Sequence, residues 1–139
     1  MRPLVVIDTN ILLASISSSS PYRWILDKLI EGKFVMAVSN EVYLEYEEQI
    51  RIRFSETAAN FFFELMKTSQ FVLSKEPSFH WNLITADGDD NKFTDLAVVC
   101  NADFIVTHDK HFDILKQVSF PSVRVINIEE FKKIIEGLK

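Results

Sequence analysis

Short apolar runs alternate with amphipathic stretches from one end of the chain to the other. Leu4-Val5-Val6-Ile7 is β-rich and uncharged, which predicts a strand buried on both faces. Phe34 to Val38, Phe71 to Leu73, Phe104 to Thr107 and Val123 to Ile126 repeat that signal. Helical spacing fills the intervals. Ile11 to Ile16 reads as a short helix opened by Asp8-Thr9-Asn10. Pro21 starts a second, with Trp24, Ile25, the stem of Lys28 and Leu29 inward and Gly32 closing it. Ser39 or Asn40 caps a third helix running to about Phe54, and Ser55 begins a fourth bearing Phe61, Phe62, Leu65 and Met66. Asp89 or Asp90 opens a fifth that ends near Asn101. A short helix follows Asp109, and Ile128 to Leu138 forms the last. Ser17 to Pro21 and Ser74 to Gly88 read as loops. Strands separated by helices imply right-handed crossovers. The expected fold is therefore α/β: a three-layer α/β/α sandwich around a mostly parallel sheet of about five strands.

Composition narrows this picture. At 139 residues and 47% hydrophobic content, a single domain spanning 1–139 is expected. No apolar run approaches the roughly 18 residues of a membrane helix. Met1-Arg2-Pro3 leads straight into a strand, so neither a signal peptide nor a transit peptide is expected. Cys100 is the single cysteine, which excludes an internal disulfide and a cysteine-rich zinc site; among Ala97, Val98 and Val99 it reads as a buried, inert thiol. Together these favour the cytoplasm. The net charge of −5 argues against bulk DNA binding and leaves nucleic acid open as a substrate. The twelve phenylalanines read as core material rather than a base-stacking platform.

Chemistry enters at the strand ends. Asp8 lands at the carboxyl end of the first strand, and Asp109 follows the fourth by two residues. That edge of a parallel sheet is where ligands bind. Asp90 precedes Phe93 by three and Ala97 by seven, which puts it on the inward stripe of its helix; it reads as a capping acid as readily as a site acid. Asp95 falls on another face. Glu45 borders the buried Val42–Tyr46–Ile50 face of the third helix, which begins at the same sheet edge as Asp8. Glutamate runs on helices are usually solvated, so Glu45 gains weight from this placement alone. Gathered carboxylates repel, and without a cation at least one should hold its proton in a raised range. Hard oxygen ligands suit Mg²⁺ or Mn²⁺ over zinc, and such a centre can activate water for attack on phosphorus. No nucleophilic serine or cysteine stands beside a base, and three glycines supply no phosphate loop.

The ordered segments Val6-Ile7-Asp8-Thr9-Asn10, Val38-Ser39-Asn40-Glu41 leading to Glu45, Asp89-Asp90-Asn91-Lys92-Phe93-Thr94-Asp95-Leu96-Ala97, and Asn101-Ala102-Asp103-Phe104-Ile105-Val106-Thr107-His108-Asp109 resemble the PIN-domain ribonucleases. The likeness is to the compact bacterial and archaeal type grouped with toxin–antitoxin toxins. It implies an endoribonuclease dependent on Mg²⁺ or Mn²⁺ that leaves a 5′-phosphate. Asp8, Glu45, Asp90 and Asp109 would be its acids, with the metal on Asp8 and Asp109 and on Asp90 or Glu45. By the same resemblance Asn10 and Thr107 support the site, and Asp113 assists. An RNA substrate, a small cognate antitoxin and a homodimer are also implied. Two departures stand out. Asn101 occupies a position where the family commonly has glycine, and Asp87, Asp89 and Asp95 compete with Asp90 as third acid.

Rival readings lack necessary residues. A haloacid-dehalogenase-type phosphatase needs an aspartate two positions after the first, where Asn10 stands, and a response-regulator receiver needs an acidic pair after strand one. His108-Asp109-Lys110-His111 has too few partners for zinc, and its cationic groups are better suited to RNA phosphate. His80-Trp81 reads as packing. The rival of another class is a PIN-like module that binds RNA or protein without cutting.

Overall fold

The chain is described by a computed structural model for residues 2–138. Its centre is β1 (Leu4–Ile7), whose Val5, Val6 and Ile7 are fully buried. On one side β1 pairs with β2 (Val35–Val38), and β2 in turn pairs with β3 (Val72–Ser74). On the other side β1 pairs with β4 (Phe104–Val106), which pairs with β5 (Val125–Ile126). The order is β3-β2-β1-β4-β5 and every pairing is parallel. The chain thus builds outward from β1 to one edge, then returns to β1's other flank. The reversal falls between β1 and β4, the kind of point where open parallel sheets bind ligands.

Helices cover both faces, giving the expected three layers. They are α1 (Thr9–Ile16), α2 (Arg23–Ile30), α3 (Asn40–Arg53), α4 (Glu56–Thr68), α5 (Asn91–Cys100) and α6 (Ile128–Glu136). Local chemistry starts three of them, α3 and α4 with the expected serines. Ser39 accepts from the Val42 amide at 3.2 Å, Ser55 from that of Ala58 at 3.0 Å, and Asn127 with Glu130 forms a capping box. α5 packs on β1, β2 and β4. Phe131 of α6 meets Phe34 and Phe104 edge-on, tying helix to sheet.

Several boundaries differ from expectation, each for a local reason. α2 starts at Arg23 rather than Pro21, because Ser20 holds the Tyr22 and Arg23 amides in a turn that extends the serine loop. α5 is preceded by a 3-10 turn, Gly88–Asp90, in which Asp87 accepts from the Asp89 amide. The segment after Asp109 is also 3-10, spanning Lys110–Gln117. Val123 lies outside β5 yet is buried. Gly32 adopts φ +77°, and a Cβ there would meet the Phe71 ring at 2.4 Å. Asn101 closes α5 at φ 52°, a left-handed conformation that favours glycine and that asparagine tolerates, which accounts for the departure at that position.

The phenylalanines divide. Phe34, Phe62, Phe93, Phe104, Phe112 and Phe131 are core, whereas Phe54, Phe61, Phe63, Phe79 and Phe120 are exposed. Cys100 is half-buried rather than buried, and burial pushes its thiol pKa up. Among the described residues, no helix is long and apolar enough to cross a membrane.

Candidate active site

Asp8 directly follows β1 and occupies the N-cap position of α1, but its side chain makes no capping bond. Its Oδ2 instead accepts from the buried Thr107 hydroxyl at 2.7 Å. Thr107 follows β4, and the same hydroxyl oxygen accepts from the Asp109 amide at 3.0 Å. One threonine therefore joins the two strand-end aspartates. Asp109 caps the 3-10 segment, accepting from the His111 amide at 2.9 Å. That turn brings the His111 ring to Asp90, with Nδ1 3.2 Å from Oδ2. Asp90, at the start of α5, is buried.

Glu45 arrives by way of its neighbour. Tyr46 is wholly buried and donates its hydroxyl to the Ile7 carbonyl, which pins α3 against the end of β1. Glu45 Oε2 then accepts from the Thr9 hydroxyl, and Oε1 lies 2.7 Å from the Lys92 ammonium. Asp8, Glu45, Asp90 and Asp109 line one cavity of about 260 Å³, together with Asn10, Arg53, Asp87, Asp89 and Lys92. Asp113 is not among its lining. It pairs with Lys116 at 3.5 Å in a neighbouring cavity bordered by Thr107, His108, Asp109 and Lys110.

The PIN-domain family model matches residues 4–111. The chain belongs to the PIN-domain family. No curated protein matches this PIN domain in sequence. Solved structures resemble it in fold. VapBC2 from Rickettsia felis, solved with a DNA fragment of its promoter, is 16% identical with a TM-score of 0.62, over 89% of this chain and 98% of that one. FitAcB from Neisseria gonorrhoeae is 16% identical, TM-score 0.57, over 88% and 96%. VapC20 from Mycobacterium tuberculosis, a sarcin–ricin loop cleaving toxin, is 16% identical, TM-score 0.58, over 86% and 98%.

Electrostatics in this PIN domain follow from the packing. Burial raises the Asp8 pKa, opposed by the Thr107 hydrogen bond, while Asp109 and Glu45 add smaller upward pushes. Asp90 is pushed up to about 6, first by burial, with the His111 hydrogen bond opposing and Asp109, Asp87 and Asp8 contributing after it. Crowding, the cause expected from the sequence, is thus secondary to desolvation. Burial likewise holds the Tyr46 hydroxyl far above its ordinary range.

The donor set suits a hard divalent ion. Asp8, Asp90 and Asp109 each accept a hydrogen bond inside the protein, which orients the carboxylate as a candidate ligand; Asp8 accepts a second, from the Thr9 backbone. Asp87, Asp90 and His111 form the tightest convergence among the described residues, with one ligand atom from each within 4.8 Å of the others. Thr9, Lys92 and this role of His111 are additions that the structure makes to the expected set. Thr9 lies inside the Asp-Thr-Asn signature and His111 inside the histidine-rich turn, so both carried a signal. Lys92 carried none, because its partner Glu45 sits on another helix.

Proposed function

We propose that this single PIN-like domain, residues 1–139, is an endoribonuclease dependent on Mg²⁺ or Mn²⁺. We further propose that it is the toxin of a type II toxin–antitoxin pair, working in the cytoplasm as a homodimer and held in check by a small antitoxin. The observation that carries the reading is the Asp8–Thr107–Asp109 unit at the reversal of strand order, with Asp90 and Glu45 in the same cavity. The fold likeness to a sarcin–ricin loop cleaving toxin supports RNA as the substrate class.

In this reading Asp8, Asp90 and Asp109 hold the ion. The ion supplies an activated water and charge neutralisation for in-line attack on phosphorus. The chain's own residues hold the geometry: Thr107 fixes Asp8 and the Asp109 backbone, and His111 fixes Asp90. Arg53, on the cavity wall, is placed to meet substrate phosphate. Asn10 lies at the rim, and Asp113 would act from the adjoining cavity.

Asp8→Asn tests the proposal, because it keeps size and removes the charge. It should lower cleavage of single-stranded RNA by more than about 100-fold, since even outer partners of a metal site cost about 10–100-fold. The fold should remain intact by circular dichroism. EDTA should abolish wild-type cleavage, and Mg²⁺ or Mn²⁺ should restore it where Ca²⁺ does not. Folded, metal-loaded wild type that leaves a broad RNA panel uncut would replace this reading with the binding module.

A further inference from the structure

Lys92 is unusual for a lysine on the wall of an acidic cavity, because most of its side chain is buried. Its side chain is 8% exposed. The ammonium lies 2.7 Å from Glu45 Oε1, donates to the Asp89 carbonyl at 2.8 Å, and sits 5.4 Å from the centre of the Phe93 ring. The other Glu45 oxygen accepts from Thr9. Both oxygens of this glutamate are therefore engaged by the protein. Among the described residues Asp8, Asp90 and Asp109 differ, since none of them is paired with a lysine or arginine.

We propose that the Lys92 ammonium is a built-in counter-ion that occupies the place of a second divalent cation beside Glu45, so that the centre takes one metal ion per chain. The inference rests on the metal site of the nuclease reading and adds to it the number of ions. Centres with two ions place them about 3.5–4 Å apart around shared carboxylates. An ion seeking Glu45 would have to displace the ammonium and leave it buried without its charge partner, which is strongly unfavourable. Glu45 then acts as a positioning residue through Lys92 and Thr9: α3, α5 and the start of α1 are clamped together at the cavity wall.

The test counts ions without using RNA. Metal-free wild type is titrated with Mn²⁺, and the free ion is read by its electron paramagnetic resonance signal. Wild type should bind one Mn²⁺. Lys92→Met keeps an unbranched side chain of similar size and removes the charge, so the count should rise to two. Lys92→Arg should bind one, and Lys92→Met combined with Glu45→Gln should return the count to one. Lys92→Gln gives the same comparison should the methionine variant not fold. Two ions in wild type, or one in both wild type and the neutral variants, would overturn the inference and leave the nuclease reading intact. No ion in any of them overturns both.

Discussion

Burial sets the protonation of Asp90 more than its charged neighbours do, and the consequence is measurable as a pH dependence. Its carboxyl rises from 3.8 to about 6, so between those values the folded chain holds a proton that the unfolded chain has released. Stability of the metal-free protein should therefore fall through this term as pH rises from about 4 to about 6, the reverse of an ordinary ion-paired aspartate. Asp90→Asn should remove that slope. At pH 7 it should stabilise the metal-free protein by on the order of 1 kcal/mol, after allowance for solvent screening and the lost His111 contact. Urea titrations of both proteins in EDTA at pH 4.5 and 7 check it; equal pH slopes would refute it. Metal binding should displace the same proton, so Mn²⁺ calorimetry in two buffers of different ionisation enthalpy should give different heats. At this scale the sequence locates Asp8 and Asp109 beside one another, because strand ends place side chains well. It could not reveal that Thr107 bridges them through a single oxygen, since that depends on a contact across 99 residues.

Among the elements, α5 does the most to build the site, and it works from both ends and one side. Its start delivers Asp90, and its end is closed by Asn101 in a left-handed turn at φ 52°. Asn101→Gly should leave stability unchanged or raise it by a few tenths of a kcal/mol, whereas Asn101→Ala should cost about 1 kcal/mol; thermal unfolding measures both. Its side holds the long loop. Buried Asp95 accepts from the Trp81 amide and contacts His80, each at 3.1 Å, and Asn91 bonds both backbone groups of Ile84. Asp95→Ala should cost about 2 kcal/mol and speed amide exchange across residues 75–87, because bonds to a buried carboxylate are lost. Unchanged exchange there would show that the loop is held by other contacts. The helix itself was readable from Phe93, Leu96 and Ala97. Asp95 lies on another face, as its spacing implies, yet nothing local marks that face as covered, because the cover is a loop without periodicity. The phenylalanines misled for a related reason: α4 presents Phe61 and Phe63 outward beside the buried Phe62. Composition alone does not tell these positions apart.

For the molecule as a whole, topology was legible from the alternation of strands and helices, while strand order was not. Nothing local to Val35 or Phe104 says that both flank β1, and the sheet is fully rather than mostly parallel. A chain ending at Ala102 keeps most of its residues but loses β4, β5 and α6, and with them one flank of the central strand. It should be unfolded, with no cooperative transition in circular dichroism; a folded fragment would show that β1 and β2 suffice. The position of β1 also governs timing. The central strand gains its second flank late: Asp8 waits for Thr107, 99 residues later, a delay of roughly 5–20 s at about 5–20 residues per second. Until then the nascent chain carries Asp8, Glu45 and Asp90 but lacks Thr107 and Asp109, the strand end that joins to Asp8. Under the proposed function, an RNA-cutting protein is thereby born inert, and its own message and the ribosome reading it are spared until Thr107 and Asp109 have been made.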